Sequence, residues 1–347
     1  MNRHLQPWQI RADDFPADGF TSDQLEFLLS YAVLAPSTHN SQPWLFRINA
    51  MDAELVADRR RALRVVDPYD RELTVSCGAA LFNVRVAMEY LGHQYQVELL
   101  PDPADPNLLA RVHLGLSGET SGDDVLLFHA ITQRHTNRQP FRPEPLPTEV
   151  LAEIEQSAGR EGVGCVVITA EADRAAVAEL VMAADRLQWS DARFREEMAR
   201  WVRTQPAVAA DGLTTHDLGI KDWLSFAGPL WIRTFDRGGG HAAHDRDIAM
   251  HSPALAVLWT AEETPRAWLQ AGQALQSVLL HARTEEVWAS FLNQPIEVPD
   301  LRARLAELAG ISGHPQILLR LGYGEPAAAS PRLSLRERLI RHPGGHA

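Results

Sequence analysis

A short helical pattern occurs twice in this chain, once in each half. Cys77-Gly78-Ala79-Ala80-Leu81-Phe82-Asn83 resembles Ala271-Gly272-Gln273-Ala274-Leu275-Gln276-Ser277, and each copy follows an apolar run typical of a strand. Both copies keep one apolar face at helical spacing. Helices with Gly, Ala and Leu are common, so the repeat gains weight only from the matching order of elements around it. Together these features predict two related halves that pair through equivalent long helices.

The two predicted halves, residues 1–125 and 126–347, are unequal in length. The first is predicted to contain helix 21–35, strands 44–49 and 63–67, and helix 73–92. The second is predicted to contain a helix around Val150, strands 165–168 and 255–259, and a helix near 266–283. We therefore expect an α+β fold, with two mostly antiparallel sheets flanked by long helices, built as a pseudo-dimer within one chain.

The second half has an additional stretch, about residues 185–250, that has no counterpart in the first. It is rich in large apolar side chains, including Trp189, Phe194, Trp201 and Trp223. Insertions into a compact fold are often lids or binding loops, and we interpret this stretch as a lid. The alternative is that it only covers the interface between the halves.

Composition narrows the class of protein. The chain has 347 residues, of which 45% are hydrophobic and 22% charged, as in globular proteins. No apolar run reaches the length of a membrane span, and the N-terminus lacks an apolar signal-peptide region. Cys77 and Cys165 lie in apolar contexts without a partner motif, as buried thiols in a reducing compartment do. We expect a cytoplasmic protein without membrane partners, and the net charge of −12 argues against a nucleic-acid partner.

A polar loop bounded by prolines lies between the first predicted helix and the first predicted strand. It runs Pro36-Ser37-Thr38-His39-Asn40-Ser41-Gln42-Pro43 and is followed by Trp44. Such a loop exposes backbone N–H groups and small side chains, which suits hydrogen bonding to a flat heteroaromatic ligand, and loops held by rigid elements often carry function. An ordinary helix-to-strand turn is the alternative.

This loop resembles the Pro-Ser-x-x-Asn-x-Gln-Pro-Trp pattern of the FMN-dependent nitroreductase family. A second hallmark of that family, a basic Arg-x-Ser/Thr-x-Arg/Lys run, is matched by Arg134-His135-Thr136-Asn137-Arg138 at the start of the second half. The chain resembles in particular the Acg-like, dormancy-associated nitroreductases. Further matches to that subfamily lie at Asp67–Leu73, Trp268–Leu275, Asn293–Glu297 and Gly322–Arg332.

The resemblance implies one FMN per chain, held between the halves. In ordinary family members the loop comes from one subunit and the basic run from the other. Here the loop occurs only in the first half, and its counterpart, Ser157–Gly162, lacks the pattern. The first half offers only Arg11-Ala12-Asp13-Asp14 where the basic run would stand. One complete site is therefore expected, and the protein is expected to be a monomer, although further association stays open.

The resemblance also implies a role for each candidate residue. Arg134, Thr136 and Arg332 match positions that hold the FMN phosphate, and guanidinium groups suit a dianion. Arg138 matches the cation beside the flavin N1–C2=O edge, where it tunes the flavin. His135 borders the phosphate as a packing or backbone-capping residue. The alternative for Arg332 is that it belongs to a solvated, arginine-rich tail, and the alternative for Pro295 is that it lies in a plain loop. The predicted cofactor-binding residues are Pro36, Ser37, Thr38, Asn40, Arg134, His135, Thr136, Arg138, Pro295 and Arg332.

The predicted function is reduction of a nitroaromatic, quinone or similar acceptor by NAD(P)H through the flavin. No dedicated catalytic acid, base or nucleophile is evident, as expected when a cofactor carries the chemistry. The alternative is a protein that stores FMN under a closed lid with little turnover. No Gly-x-Gly-x-x-Gly run follows a strand, so a Rossmann site is not predicted. His241 and His244 lack a third metal ligand, and no metal site is expected.

Overall fold

Two four-stranded antiparallel sheets form the framework of the protein. The computed structural model describes residues 3–203, 209–214 and 246–340. The first sheet contains β1 (Trp44–Asn49), β2 (Asp52–Ala57), β3 (His93–Leu99) and β4 (Leu108–Ser117). The second contains β5 (Gly164–Ile168), β8 (Ala254–Thr260), β9 (Trp288–Phe291) and β10 (His314–Gly322). A short parallel pair, β6 (Val202–Arg203) and β7 (Leu213–Thr214), lies in sequence between β5 and β8 of the second sheet.

The two sheets have equivalent topology. The strand orders are β1-β2-β4-β3 and β5-β8-β10-β9, so each sheet places its third and fourth strands in the same exchanged order. All pairings within both sheets are antiparallel. Matching strand order in two halves of one chain confirms the expected α+β fold of two related halves.

Residues 246–251 are helical, and ten further α-helices lie entirely within the described residues. They are α1 (Thr21–Ala32), α2 (Arg71–Tyr90), α3 (Gly122–Gln133), α4 (Thr148–Arg160), α5 (Glu171–Ser190), α6 (Ala192–Trp201), α7 (Pro265–Thr284), α8 (Gln294–Glu297), α9 (Pro299–Leu308) and α10 (Leu335–Arg338). Short 3₁₀ turns form at Arg3–Gln9, Ala12–Asp14, Thr38–Asn40 and Arg59–Arg61. No described helix is long and apolar enough to cross a membrane.

The central element is the pair of long helices α2 and α7. Their glycines face each other: a Cβ on Gly78 would lie 2.3 Å from the Leu269 carbonyl oxygen, and one on Gly272 2.0 Å from that of Val75. Close by, Gln276 Nε2 donates to Asn83 Oδ1 at 2.7 Å. The reciprocal contact places the repeated sequence on an approximate twofold axis, where only glycine allows the backbones to approach this closely.

Three apolar cores pack the helices against the two sheets. The largest packs α1, α2 and α3 against the first sheet, and it includes Phe128 and Ile131 of α3. Two others lie on the faces of the second sheet, against α4 and α7 on one side and α5 and α9 on the other. The predicted boundary between residues 125 and 126 stays a prediction, and it lies inside α3.

One predicted strand is wrong. Residues 63–67 form no strand, and β2 lies earlier, at Asp52–Ala57. The backbone N–H groups of Val65 and Val66 instead donate to the Glu197 carboxylate at 3.0 Å. Val66 is buried in a small core with Phe194 and Met198 of α6. The apolar residues of this segment pack against helix α6 of the insertion, and their apolar run therefore resembles that of a buried strand. Helix α1 also ends earlier than predicted, at Ala32.

Part of the predicted lid lies within the described residues. The end of helix α5, helix α6, strands β6 and β7, and residues 246–250 belong to it. Trp223, His241 and His244 lie outside the described residues. Both cysteines are free thiols, Cys77 buried and Cys165 half-buried, and burial raises the pKa of each.

Candidate functional site

The loop after α1 has an unusual backbone. His39, Asn40 and Gln42 have φ values of 52°, 53° and 51°, the left-handed region that non-glycine residues rarely enter. Ser37 Oγ accepts a hydrogen bond from the Gln42 backbone N–H at 2.9 Å, closing the loop on itself. Three such residues within four positions occur together only when surrounding contacts hold them, and such backbone strain clusters at functional sites.

Gln42 holds this loop in place. Its side chain is fully buried. The amide Nε2 donates to the Ala210 carbonyl at 2.8 Å, and Oε1 accepts from the Leu333 backbone N–H at 2.8 Å. One side chain therefore ties the loop both to the base of the insertion and to the C-terminal segment.

Two arginines are buried beside the loop. Arg134 and Arg332 are 4% and 3% exposed. Arg134 Nη2 donates to the Leu34 carbonyl at 2.6 Å, and Arg332 Nη1 donates to Asn40 Oδ1 at 2.9 Å. Neither forms an ion pair with a carboxylate in the described part of the chain, and the Nε of each is buried there without a hydrogen-bond partner. Burial lowers the pKa of Arg134 to about 10 and also lowers that of Arg332, whose other cause is the charge of Arg134.

His135 lies among these cations in neutral form. Its pKa is lowered to about 3 by burial and by the charges of Arg134, Arg332 and Arg283. The Trp8 ring packs edge-on against the imidazole at 4.5 Å, and the Arg332 guanidinium lies 5.0 Å from the centre of the Trp8 ring. Arg134, His135 and Thr136 line one small cavity together with Arg283 and Trp288. This cavity is cationic, because Arg134 forms no ion pair among the described residues and Arg283 has only the charge of Glu286 nearby.

The basic run also reaches the loop through Arg138. Burial and the charge of Arg138 lower the pKa of His39 to about 4. The influence of Arg138 on His39 places the end of the basic run near the centre of the loop. The Thr136 backbone pairs with Ala289 at the edge of β9, which fixes the direction of the run.

A second polar group lies beside Thr38. Thr38 Oγ1 donates to Glu72 Oε2 at 2.8 Å, and Glu72 is paired with Arg71 at 2.7 Å. The pKa of Glu297 is raised well above its usual value by burial and by the charge of Glu72. Gln188 Nε2 of α5 donates to Glu297 at 2.5 Å. Helix α8, which also contains the buried Pro295, is thereby brought near the loop.

Comparison with known proteins assigns the family. Residues 131–323 match the model of the nitroreductase family. The chain is 32% identical, over 91% of its own length and 91% of the relative's, to the putative NAD(P)H nitroreductase Rv3131 of Mycobacterium tuberculosis. It is 28% identical to the putative NAD(P)H nitroreductase acg of the same organism, over 91% and 95% of the two chains. The chain belongs to the nitroreductase family. This confirms the resemblance found in its sequence, including the likeness to Acg.

Two further matches lie in other bacteria. The probable NAD(P)H nitroreductase PigM of a Serratia strain is 26% identical over 89% of this chain and 90% of its own. Among solved structures, the FMN-dependent nitroreductase NfnB of Mycobacterium smegmatis in complex with NADPH aligns with 63% of this chain and 99% of its own. That alignment has 16% identity and a TM-score of 0.41.

The structure brings the candidate residues of both halves together. Asn40 of the first half is bonded to Arg332 of the second, and Arg134 is bonded to the backbone just before the loop. His135 and Thr136 share a cavity with Arg134, and the charge of Arg138 contributes to the lowered pKa of His39. The remaining four candidates lie in the loop or beside the Thr38–Glu72 pair: Pro36, Ser37, Thr38 and Pro295. Their role in cofactor binding stays a prediction.

Sequence reasoning gave no site role to Arg283, Trp8 or Glu72, although all three lie in this group. Arg283 stands at the end of α7 and Trp8 on an N-terminal 3₁₀ turn, so neither falls in a motif. Glu72 lies in a matched segment, Asp67–Leu73, but its contact with Thr38 depends on tertiary packing. The sequence signal that could have indicated Glu72 as a site residue was an acidic side chain next to Arg71 in that segment.

The equivalent place in the other half is filled differently. Glu89 follows Gly78 by the same number of residues as Arg283 follows Gly272. The approximate twofold axis therefore relates a carboxylate in the first half to a guanidinium in the second. Arg85 Nη1 donates to Glu161 Oε2 at 2.5 Å and to Gln273 Oε1 at 2.9 Å. Glu89 accepts a hydrogen bond from Tyr95. Arginine and carboxylates neutralise each other here, unlike at the Arg134–Arg332 site.

Proposed function

We propose that this protein is an FMN-dependent oxidoreductase that takes hydride from NAD(P)H and passes it to a nitroaromatic, quinone or similar flat acceptor. The observation that carries the proposal is the burial of Arg134 and Arg332 without a carboxylate partner among the described residues. Burying a charge costs several kcal/mol unless an opposite charge compensates it. A bound dianion such as the FMN phosphate provides that compensation, and the two free Nε–H groups are suited to donate to it.

Each surrounding group has a defined task in this proposal. When bound, FMN supplies the hydride chemistry. Arg134, Arg332 and the hydroxyl of Thr136 hold its phosphate, and neutral His135 lets the cations lie close together without a further charge. Arg138 stabilises negative charge at the pyrimidine edge of the ring, the electrostatic role expected of a placed cation. Loop 36–40 and the helix bearing Pro295 supply polar contacts on either side of Thr38.

Removing either side of the site tests the cofactor assignment. Arg134→Ala and Asn40→Ala change different halves, yet each is expected to weaken FMN binding at least about tenfold and so lower the FMN content of purified protein, since losing a hydrogen bond to a charged group costs about 1.5–3 kcal/mol. Absorbance of the bound flavin measures the content. Arg160→Ala, an exposed arginine of α4, is the control and should keep full FMN. Full retention by both site variants would contradict the assignment.

Anaerobic mixing with nicotinamides tests the reaction. Holoprotein is expected to lose its visible flavin absorbance on addition of NADH or NADPH and to regain it when a nitroaromatic or quinone is added. Stopped-flow spectroscopy follows both steps. Holoprotein that dithionite reduces but neither nicotinamide reduces would contradict the reductase and support the second candidate below.

The second candidate is a protein that holds FMN under a closed lid. The base of the insertion contacts the loop directly: Gly212 N–H donates to the Asn40 carbonyl at 3.3 Å, and Ala210 accepts from Gln42. Helix α5 of the same insertion reaches Glu297 through Gln188. An insertion held beside the loop at Ala210 and Gly212, and held to Glu297 at Gln188, restricts entry of a second ring, which favours retention of the flavin over turnover.

A further inference from the structure

Six arginines lie together beside the site loop: Arg59, Arg60, Arg61, Arg64, Arg203 and Arg338. We name these six residues the arginine cluster. Every member is ion-paired, but each of three aspartates serves two arginines: Asp58 pairs with Arg60 and Arg338, Asp70 with Arg59 and Arg64, and Asp211 with Arg61 and Arg203. These nine side chains therefore carry three more positive than negative charges. Such an excess is unusual in a protein whose net charge is −12.

The cluster adjoins the candidate FMN site. Arg61 Nε donates to the carbonyl of Ser41, the residue after Asn40, and the Asp58 N–H donates to the Pro43 carbonyl at 2.8 Å. Arg61 and Arg203 lie 5.6 and 5.7 Å from the centre of the Trp201 ring, at the end of α6. The cluster thus joins the loop, the 3₁₀ turn Arg59–Arg61 and the base of the insertion.

Two members of the cluster are accessible to a ligand. The side chains of Arg60 and Arg64 are 78% and 60% exposed. Arg60 uses Nε and Nη2 on Asp58, and Arg64 contacts Asp70 at 3.5 Å and the Arg59 carbonyl at 3.3 Å. Both guanidinium groups keep further N–H donors that can face an anion, while the less exposed members of the cluster fix their surroundings.

We propose that the arginine cluster binds the 2′-phosphate of NADPH and makes this site prefer NADPH to NADH. The inference rests on the function proposed above. NADPH and NADH differ only in that dianionic group, and guanidinium groups are its preferred partners in proteins. Arg134 and Arg332 are assigned to the FMN phosphate, so the cluster is the second cationic group bordering the loop. Its excess charge also steers an anionic dinucleotide toward an otherwise acidic protein.

Direct binding of a nucleotide probe tests this inference. Holoprotein is titrated in a calorimeter with 2′,5′-ADP and with 5′-AMP at low salt. We expect 2′,5′-ADP to bind at least about tenfold more tightly, which corresponds to ~1.4 kcal/mol. The double variant Arg60→Gln/Arg64→Gln should abolish this difference. Added salt should reduce it as well, because exposed charges are screened. Equal binding of the two probes, or failure of 2′,5′-ADP to bind, would overturn the inference.

Arg193→Gln is the matched control. Arg193 pairs with Asp191 two residues before it and is 81% exposed, as Arg60 pairs with Asp58 and is 78% exposed. The control should bind both probes as the unmodified protein does. Equal losses in the control and in the double variant would reject a specific phosphate site.

Flavin reduction and FMN content separate this inference from the proposed function. The double variant should keep its FMN and its rate of reduction by NADH, while kcat/KM with NADPH falls about tenfold. If neither nicotinamide reduces the flavin, the reductase fails while probe binding still decides the inference. If both nicotinamides reduce it with equal kcat/KM, and the double variant changes neither, the inference fails while the reductase stands.

Discussion

The pKa values of several side chains of the site differ from the values that these groups have in water. His39 and His135 are neutral because burial and neighbouring arginines lower their pKa values to about 4 and about 3, below the ordinary 6.5. Two buried guanidinium groups remain charged beside them. The motif predicted that Arg134 and Arg332 lie here, but it could not predict their burial or the absence of a carboxylate among the described residues. Burial depends on which segments cover them, including Trp8 from the far end of the chain.

These histidines predict how stability depends on pH. The unfolded chain binds their protons near pH 6.5, whereas the folded protein resists protonation until about pH 4 and 3. The contribution of these histidines to the free energy of unfolding should therefore be fully present above pH 6.5. As the pH falls below 6.5, the free energy of unfolding should decrease by up to about 1.4 kcal/mol per pH unit for each histidine. Urea unfolding of the apoprotein at several pH values measures this. His39→Gln/His135→Gln should flatten the fall, whereas the exposed His251→Gln should not. An equally steep fall in the double variant would contradict the argument.

At the scale of elements, the helix pair α2 and α7 organises the molecule. Of the 20 residues of α2, all but three are buried, so this helix is covered on every side. Its apolar residues at helical spacing, such as Cys77, Leu81, Val84 and Met88, still indicated a helix, although the opposite face is buried as well. The strand predicted at 63–67 is wrong for a different reason. Apolar residues of this segment pack against helix α6 of the insertion, and the local sequence pattern does not show that contact.

Alanine in place of a contact glycine should separate the two helices. A Cβ on Gly272 would lie 2.0 Å from the Val75 carbonyl oxygen and 2.8 Å from the Gly78 Cα, and backbone atoms cannot move aside cheaply. We expect Gly272→Ala to destabilise the protein by about 3 kcal/mol or more, as overpacking does. Denaturant unfolding of the variant measures the loss.

Gly159→Ala is the control for this prediction. Gly159 lies in α4 and has no atom within 4 Å of its Cβ position. The substitution should stabilise the protein by up to about 1 kcal/mol, because alanine is the better helix former. Equal stability of the two variants would show that the α2–α7 contact tolerates a larger separation.

At the scale of the whole molecule, one chain supplies two sheets of the same topology but unequal ligand chemistry. On one side, buried arginines face no carboxylate in the described part of the chain. On the other, Arg85 is neutralised by Glu161, and Glu89 replaces a guanidinium. We therefore expect a ligand only on the side where the arginines lack carboxylate partners, because a shared fold does not by itself give both sides the same function.

This asymmetry predicts one flavin per chain. Purified holoprotein should contain one FMN for each polypeptide, whatever its oligomeric state. Native mass spectrometry measures both the ratio and the assembly, and a monomer with one FMN is the expected species. A ratio near two would show that the place occupied by Arg85 and Glu161 also takes a flavin, and would refute the interpretation of a lost site.

The sequence by itself determined the family, the α+β class, the long helices and the two hallmark segments, because helical periodicity and typed loop residues are local properties. Tertiary structure decided what lies against them. Only the fold shows Asn40 bonded to Arg332, Thr38 bonded to Glu72, and Gln42 joining three segments. It also decided that six arginines share three aspartates. Charge balance and burial depend on neighbours that are distant in sequence, and no local pattern contains them.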